Sequence, residues 1–222
     1  SFGAYIHHIS NQMKIIIFGP QGSGKGTQAD ILTEHLYIPH ITMGGLLRAT
    51  AATDSELGLK IKAIINKGNL VPDVLAFALL KNRLEQADCQ AGFILDGYPR
   101  NLNQAAELEK VAKIDAALEI WISNEESLKR TGNRRNCAKC GAIYNLIFHP
   151  PQQENICDKC GAVLTIRDDD KEEVLKQRLE IYHQQTKYLV EYYQKGGVYL
   201  KIDGMPSIPE VTKEIFAKLN LN

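Results

Sequence analysis

The chain has 222 residues, 44% of them hydrophobic and 23% charged, with 26 basic and 26 acidic side chains. That length allows one or two domains with a buried core, and the zero net charge argues against a general polyanion binder while leaving room for a local basic cleft. No apolar run reaches the roughly 18 residues that crossing a bilayer requires, and five cysteines without an export signal point to reduced thiols in a cytosol rather than a disulfide framework.

Residues 1–12 lack the basic start and apolar centre of a signal peptide and read as a tag remnant or natural extension. Lys14 to Phe18, KIIIF, is a β-branched run bounded by glycine and predicts a buried parallel strand. A glycine-rich segment from Gly19 to Gly26 follows, then helical spacing from Thr27 to Leu36. Thr42 to Val71 alternates short helical patterns with glycines and reads as a small helical insert. A helix is predicted from Val74 to Gln86, with Pro72 near its start and Asp73 as its cap. Phe93 to Leu95 forms a second strand ending at Asp96, Leu102 to Lys110 a helix, Ala116 to Ile122 a third strand, and Glu125 opens another helix. From Cys137 to Thr165, paired cysteines and Pro150-Pro151 predict an inserted β-rich module. A long helix from Asp168 to Gln194, acidic in its first turn, a strand from Val198 to Ile202 and a helix from Ile208 to Leu219 complete the chain. Strands alternating with helices predict an α/β fold with a parallel sheet covered on both faces.

Gly19-Pro20-Gln21-Gly22-Ser23-Gly24-Lys25-Gly26-Thr27 carries the strongest chemical signal. Glycines let backbone N–H groups point at phosphate oxygens, the following helix adds its positive end, and Lys25 reaches the β- and γ-phosphates. The generic pattern has Ser or Thr directly after the lysine to hold magnesium; here Gly26 stands there and Thr27 follows. Asp96, at the C-terminal end of a buried strand, lies on the sheet edge where ligands bind and is placed to hold magnesium's waters; Arg100 is placed to clamp a phosphate. Arg48, Arg100, Arg130, Arg134, Arg135, Arg167 and Arg178 supply the charge that phosphoryl transfer needs around the equatorial oxygens, although spacing alone does not bring them together.

Cys137-x2-Cys140 and Cys157-x2-Cys160 match zinc-ribbon spacing. Four thiolates would close a tetrahedral shell and make the metal structural rather than catalytic. A redox pair and a nucleic-acid-binding ribbon are the rival readings; Cys89 reads as packing and His149 as loop structure.

Taken together, GPQGSGKGTQ, LDGYPR, RTGNRRNC, the cysteine pairs flanking IYNLIFHPP, and RDDDKEEVLKQRL resemble the adenylate kinases, specifically the zinc-containing, long-lid bacterial type, from Met13 to near the C-terminus. The GKGT ending is itself a trait of nucleoside monophosphate kinases. The resemblance implies a three-layer P-loop NTPase core over 13–41, 72–133 and 170–222, an acceptor-nucleotide insert over 42–71 and a zinc-ribbon lid over 134–169. It implies ATP contacts at Gly22, Ser23, Gly24, Lys25, Gly26, Thr27, Arg130 and Arg134. It implies AMP contacts at Thr42, Met43, Arg48, Asn69, Leu70, Val71, Gly97, Arg100, Gln104, Arg167 and Arg178, with Gln104 reading the adenine. Lys25, Arg100, Arg134, Arg167 and Arg178 are implied to act on the moving phosphoryl, Asp96 on the second shell of Mg2+, and Asp168 and Asp169 as the lid hinge. The implied reaction is Mg-ATP plus AMP giving two ADP, in a cytoplasmic monomer that engages neither nucleic acid nor membrane. Two positions depart from the family: Met43 stands where a threonine hydroxyl usually faces the acceptor base, and Gly45 where an aspartate usually helps order magnesium's waters. A kinase for another nucleoside monophosphate, and a non-catalytic nucleotide-binding zinc-ribbon protein, are the alternatives.

Overall fold

A computed structural model describes residues 13–67, 69–167, 170 and 172–221. The predicted extension before Met13 and the proposed hinge pair Asp168 and Asp169 lie outside the described residues. Five parallel strands form the central sheet: β1 (Lys14–Phe18), β2 (His40–Thr42), β3 (Phe93–Asp96), β4 (Ala116–Trp121) and β8 (Tyr199–Asp203), in the order β2-β3-β1-β4-β8. β1 sits at the centre, with Ile16 beside Leu95 on one side and beside Ala117 on the other.

The β-branched run of β1 explains the layers. Successive side chains on a strand point to opposite faces, so Ile16 and Phe18 enter one core while Ile15 and Ile17 enter the other. Ile15, Ile16 and Ile17 are completely buried, and removing each from water is worth about 1.5 to 3 kcal/mol. Helices α1 (Lys25–Leu36) and α9 (Ile208–Lys218) cover the second face through Leu32, Leu36 and Ile215. The first face is covered by α2 (Met43–Ala51), α3 (Glu56–Ile65), α4 (Asp73–Leu84), α5 (Leu102–Glu109) and α8 (Lys187–Lys195).

Residues 43–65 fold as two short helices, α2 and α3, each N-capped by a hydroxyl: Thr42 accepts from the Gly45 amide and Ser55 from the Gly58 amide. After β4 and α6 (Asn124–Gly132), a separate antiparallel sheet of β5 (Arg134–Cys137), β6 (Ile143–Asn145) and β7 (Leu164–Thr165) forms in the order β6-β5-β7. The buried cluster of this module contains only Cys137, Tyr144, Cys157 and Leu164. α7 (Glu172–Ile181) then runs through a π-helical turn at Tyr182–Thr186 into α8.

Two local expectations change, and one strand is present that the sequence did not reveal. Asp73 is not the cap of α4: Pro72 takes that position and Asp73 is the first helical residue, its carboxylate turned to α5 instead. The helix predicted from Asp168 to Gln194 is interrupted by the π turn, whose Thr186 hydroxyl donates to the Arg100 carbonyl at 3.3 Å. His40 to Thr42 is a strand, three residues long, pairing in parallel with Ile94 to Asp96.

Candidate active site

The glycine-rich segment lies between β1 and α1, at the C-terminal edge of the sheet. Gly22 and Gly24 have φ of 74° and 91°, in the left-handed region that favours glycine. Gly24 occupies the N-cap of α1, so the helix presents its amides to the loop. Lys25 folds back over the loop, and its Nζ donates to the carbonyls of Gly19 at 2.9 Å and Pro20 at 2.7 Å and to Ser23 Oγ at 3.4 Å. Burial lowers its pKa to about 8; Asp96 opposes the shift, and Arg178, Arg100 and Arg134 add to it.

Asp96 ends β3, beside Thr42 of β2 in the sheet register. His40 Nδ1 is 2.8 Å from Asp30 and its Nε2 is 3.8 Å from Asp96 Oδ2. Burial alone would raise the Asp96 pKa, but His40 and Lys25 outweigh it and hold the carboxyl below the usual range. Burial likewise opposes charge on His40, yet Asp30 and Asp96 raise its pKa to about 9. Asp96 is therefore an anion at neutral pH, which suits the ordering of a cation's waters.

A cavity of about 450 Å³ opens beside α2 and α3, and Arg48, Arg100, Arg167 and Arg178 converge on it together with Asn69 and Val71. A second, much smaller pocket shares Leu47, Val71 and Arg100 with it and is lined also by Met43, Leu70, Gly97 and Gln104 among others. Met43 is 2% exposed and Gln104 3%. Thr42 spends its hydroxyl on capping α2. Arg100 is held over Gly97, whose carbonyl accepts from Nε at 2.8 Å.

Arg134 lies outside the cavity lining but joins its cluster through Asp170, a residue that the sequence reading passed over. The buried Asp170 carboxylate takes the Arg134 fork on both oxygens and stands 4.0 Å from Arg178. Arg130 is held separately: it donates to Glu126 at 2.7 Å and to the carbonyls of Gly204 and Met205 at 2.9 and 3.2 Å, with the Phe148 ring 5.1 Å from its guanidinium. Thr27 is exposed in the first turn of α1. Asp170, His40 and Asp73 were missed or misread because nothing in their spacing reveals a partner far along the chain; Glu126 was passed over although its i,i+4 spacing to Arg130 is a local signal.

The four cysteines Cys137, Cys140, Cys157 and Cys160 meet within the β5–β7 module, all four sulfurs within 4.8 Å of one another, and share no residue with either cavity. Cys137 and Cys160 sulfurs are 3.4 Å apart and those of Cys140 and Cys157 3.5 Å. A tetrahedron with metal–sulfur bonds of about 2.3 Å has edges of about 3.8 Å, so the set fits one zinc-sized ion and is too open for disulfides. Tyr144 supports it, its hydroxyl lying 3.6 Å from Cys157 Sγ while accepting from the Asp158 amide at 2.8 Å. His149 stacks on the Tyr144 ring and is not a ligand. Cys89 packs in the core away from this set. Among the described residues no helix is long and apolar enough to cross a membrane.

A family model described as adenylate kinase matches residues 17–198. Similar curated proteins include the adenylate kinase of Archaeoglobus fulgidus, 47% identical over 93% of this chain and 98% of its own length. Those of Caldicellulosiruptor saccharolyticus and Acetivibrio thermocellus are 46% and 44% identical, each over 94% of this chain and over 100% and 98% of their own lengths.

Proposed function

We propose that this chain, which belongs to the adenylate kinase family, transfers the γ-phosphoryl group of Mg-ATP reversibly to AMP, giving two ADP. The observation that carries this reading is the convergence of Arg48, Arg100, Arg167 and Arg178 on one cavity, with Lys25 close enough to feel Arg100 and Arg178. A site that only bound one nucleotide would have no use for cations on both sides of a transferring group.

In this reading the amides of Gly22 to Thr27 hold the donor's phosphates and Lys25 follows the moving phosphoryl. Arg48 and Arg100 grip the acceptor phosphate; Arg134, Arg167 and Arg178 offset the charge that spreads over the equatorial oxygens. Arg130 carries the donor base. Gln104, lining the smaller pocket with Gly97 and Met43, reads the acceptor base, with Asn69, Leu70 and Val71 along its flank. Asp96 orders the waters of Mg2+ that arrives with ATP. Cys137, Cys140, Cys157 and Cys160 hold one zinc ion as a structural pin for the 134–169 lid, whose movement over the site excludes water.

The test is ADP formation from ATP with AMP, CMP, UMP and GMP in turn, with and without magnesium. A magnesium-dependent preference for AMP is the expected result. Preference for another monophosphate would move the acceptor and implicate the buried Met43, and transfer to none of them would refute the catalytic reading.

A further inference from the structure

We infer that Asp73 is a positioning residue that fixes which way round the Gln104 amide meets the acceptor base, so that the site reads a 6-amino base and rejects a 6-oxo base. The inference rests on the reading above that Gln104 faces the acceptor base.

Gln104 is 3% exposed, at the first turn of α5. Its Oε1 accepts from the backbone N–H of Arg100 at 2.8 Å, and its Nε2 donates to Asp73 Oδ1 at 2.8 Å. Both partners have only one role: a backbone N–H donates and a carboxylate accepts. Turning the amide over would set NH2 against N–H and a carbonyl against a carboxylate. The half-turn that leaves an exposed amide nearly unchanged is therefore blocked here from both sides. What remains for a ligand is one Nε2 proton and one Oε1 lone pair, in a fixed order.

That order is what separates bases. Adenine presents an N6–H donor beside the N1 acceptor; hypoxanthine and guanine present an O6 acceptor beside an N1–H donor. A freely turning amide satisfies either edge, and a locked one satisfies a single edge. Around Gln104, Met43, Leu47, Leu70 and Val71 offer apolar side chains, so a mismatched base would leave buried polar groups unpaired.

Asp73 is itself held in place. It sits in the first turn of α4, where the helix dipole favours a carboxylate, and Asn101 Nδ2 donates to its two oxygens at 3.1 and 3.3 Å. Asn101 Oδ1 in turn accepts from the backbone N–H of Gln104 at 2.9 Å, capping α5. The Asn101 bond already ties α4 to α5, so stapling the helices does not require the contact to Gln104.

The experiment compares kcat/KM for AMP and for inosine monophosphate, which differ only at this edge of the base. Asp73→Asn replaces an acceptor-only group by one that also donates, and the AMP-to-IMP ratio should fall by about tenfold or more. Asn101→Ser keeps a hydroxyl to cap α5 but drops the donor to Asp73, leaving the Asp73 bond to Gln104 in place, and its ratio should stay within about twofold of the parent. A folded Asp73→Asn protein with an unchanged ratio, or an Asn101→Ser protein with an equal fall, would overturn the inference. Should Asp73→Asn not fold, hydrogen exchange of the Gln104 side-chain NH2 in the unaltered protein decides: strong protection of one proton supports the lock, and exchange as fast as an exposed amide overturns it. A parent enzyme with no preference for AMP in the acceptor panel would sink the underlying reading instead, and the exchange measurement would still judge the lock.

Discussion

The charge on Lys25 sets how the site should respond to pH. Burial, reinforced by Arg178, Arg100 and Arg134 and opposed by Asp96, brings its pKa to about 8. A group with that pKa is protonated in roughly 90% of molecules at pH 7 and roughly 3% at pH 9.5. Phosphate binding calls for the charged form, so kcat/KM for Mg-ATP, which reports on the free enzyme, should fall about 30-fold over that span. Bound phosphate holds the proton in place, so kcat should fall only at higher pH. His40, with its pKa raised to about 9 by Asp30 and Asp96 against the effect of burial, titrates in the same window. His40→Gln should remove an upper limb and leave the one near pH 8. The assay is initial ADP formation at constant ionic strength, with ATP varied at each pH. Folding gives a second check with its own sign. The unfolded lysine keeps its proton up to a pKa of 10.5, so between about 8 and 10.5 the unfolded chain binds more protons and this group's contribution to stability rises with pH. A kcat/KM that stays flat to about pH 9.5, or that falls in step with kcat, would refute the reasoning.

Three further outcomes follow from single contacts. Cys137→Ser opens the four-thiolate set in a module whose buried cluster otherwise holds only Tyr144, Leu164 and Cys157; bound zinc, measured by colorimetric release, should be lost and Tm should fall by about 5 °C or more, with a smaller effect on turnover at moderate temperature. Asp170→Asn leaves the Arg134 fork facing a neutral amide, a loss of about 2 to 3 kcal/mol, and a thermal melt shifted by less than about 2 °C would sink the pairing's importance. Gly45→Ala would gain about 1 kcal/mol of helix propensity elsewhere, but here its Cβ meets Thr42 Oγ1, the cap of α2, well inside contact distance. Losing that cap costs about 0.5 to 2 kcal/mol, so calorimetry should show no stabilisation.

The parts of this fold that were legible in the sequence are those whose signal is local. KIIIF declares a strand buried on both faces because its apolar run allows no solvent face, and the β1 side chains do divide between two cores. The glycine-rich loop between β1 and α1 and the clustering of the cysteine pairs were likewise legible from spacing over a few residues. β2 was not legible: three residues, His40 to Thr42, are too few to show a period. The long-range partners were illegible for a different reason. Arg134 and Asp170 are 36 positions apart and Asp73 and Gln104 31 apart, and only the packing of α4 on α5 and of α6 on α7 brings such residues face to face. Asp73 illustrates the ambiguity well. An acidic residue ahead of a helical pattern reads as a cap, but the helix starts one residue earlier, with Pro72 at the cap position making no side-chain bond and Asp73 free to turn to α5.

These partners change how nucleotide binding should be understood. Lys25 is satisfied by loop carbonyls, Arg134 by Asp170, Arg130 by Glu126 and two carbonyls, and Gln104 by Asp73 and a backbone amide. Half-buried charges left unpaired would cost several kcal/mol each, so a site rich in cations can rest without ligand only if the chain supplies stand-ins. In the proposed reading phosphates must then displace carbonyls and carboxylates, and each new bond contributes only its excess over the old one. Gross attraction is largely cancelled in the ground state. What survives is any interaction the stand-ins imitate poorly: the in-line geometry and spread charge of a transferring phosphoryl group, which no single carboxylate reproduces. Internal pairing of this kind therefore weakens uniform binding more than it weakens binding of the transition state, and it is the latter difference that accelerates a reaction.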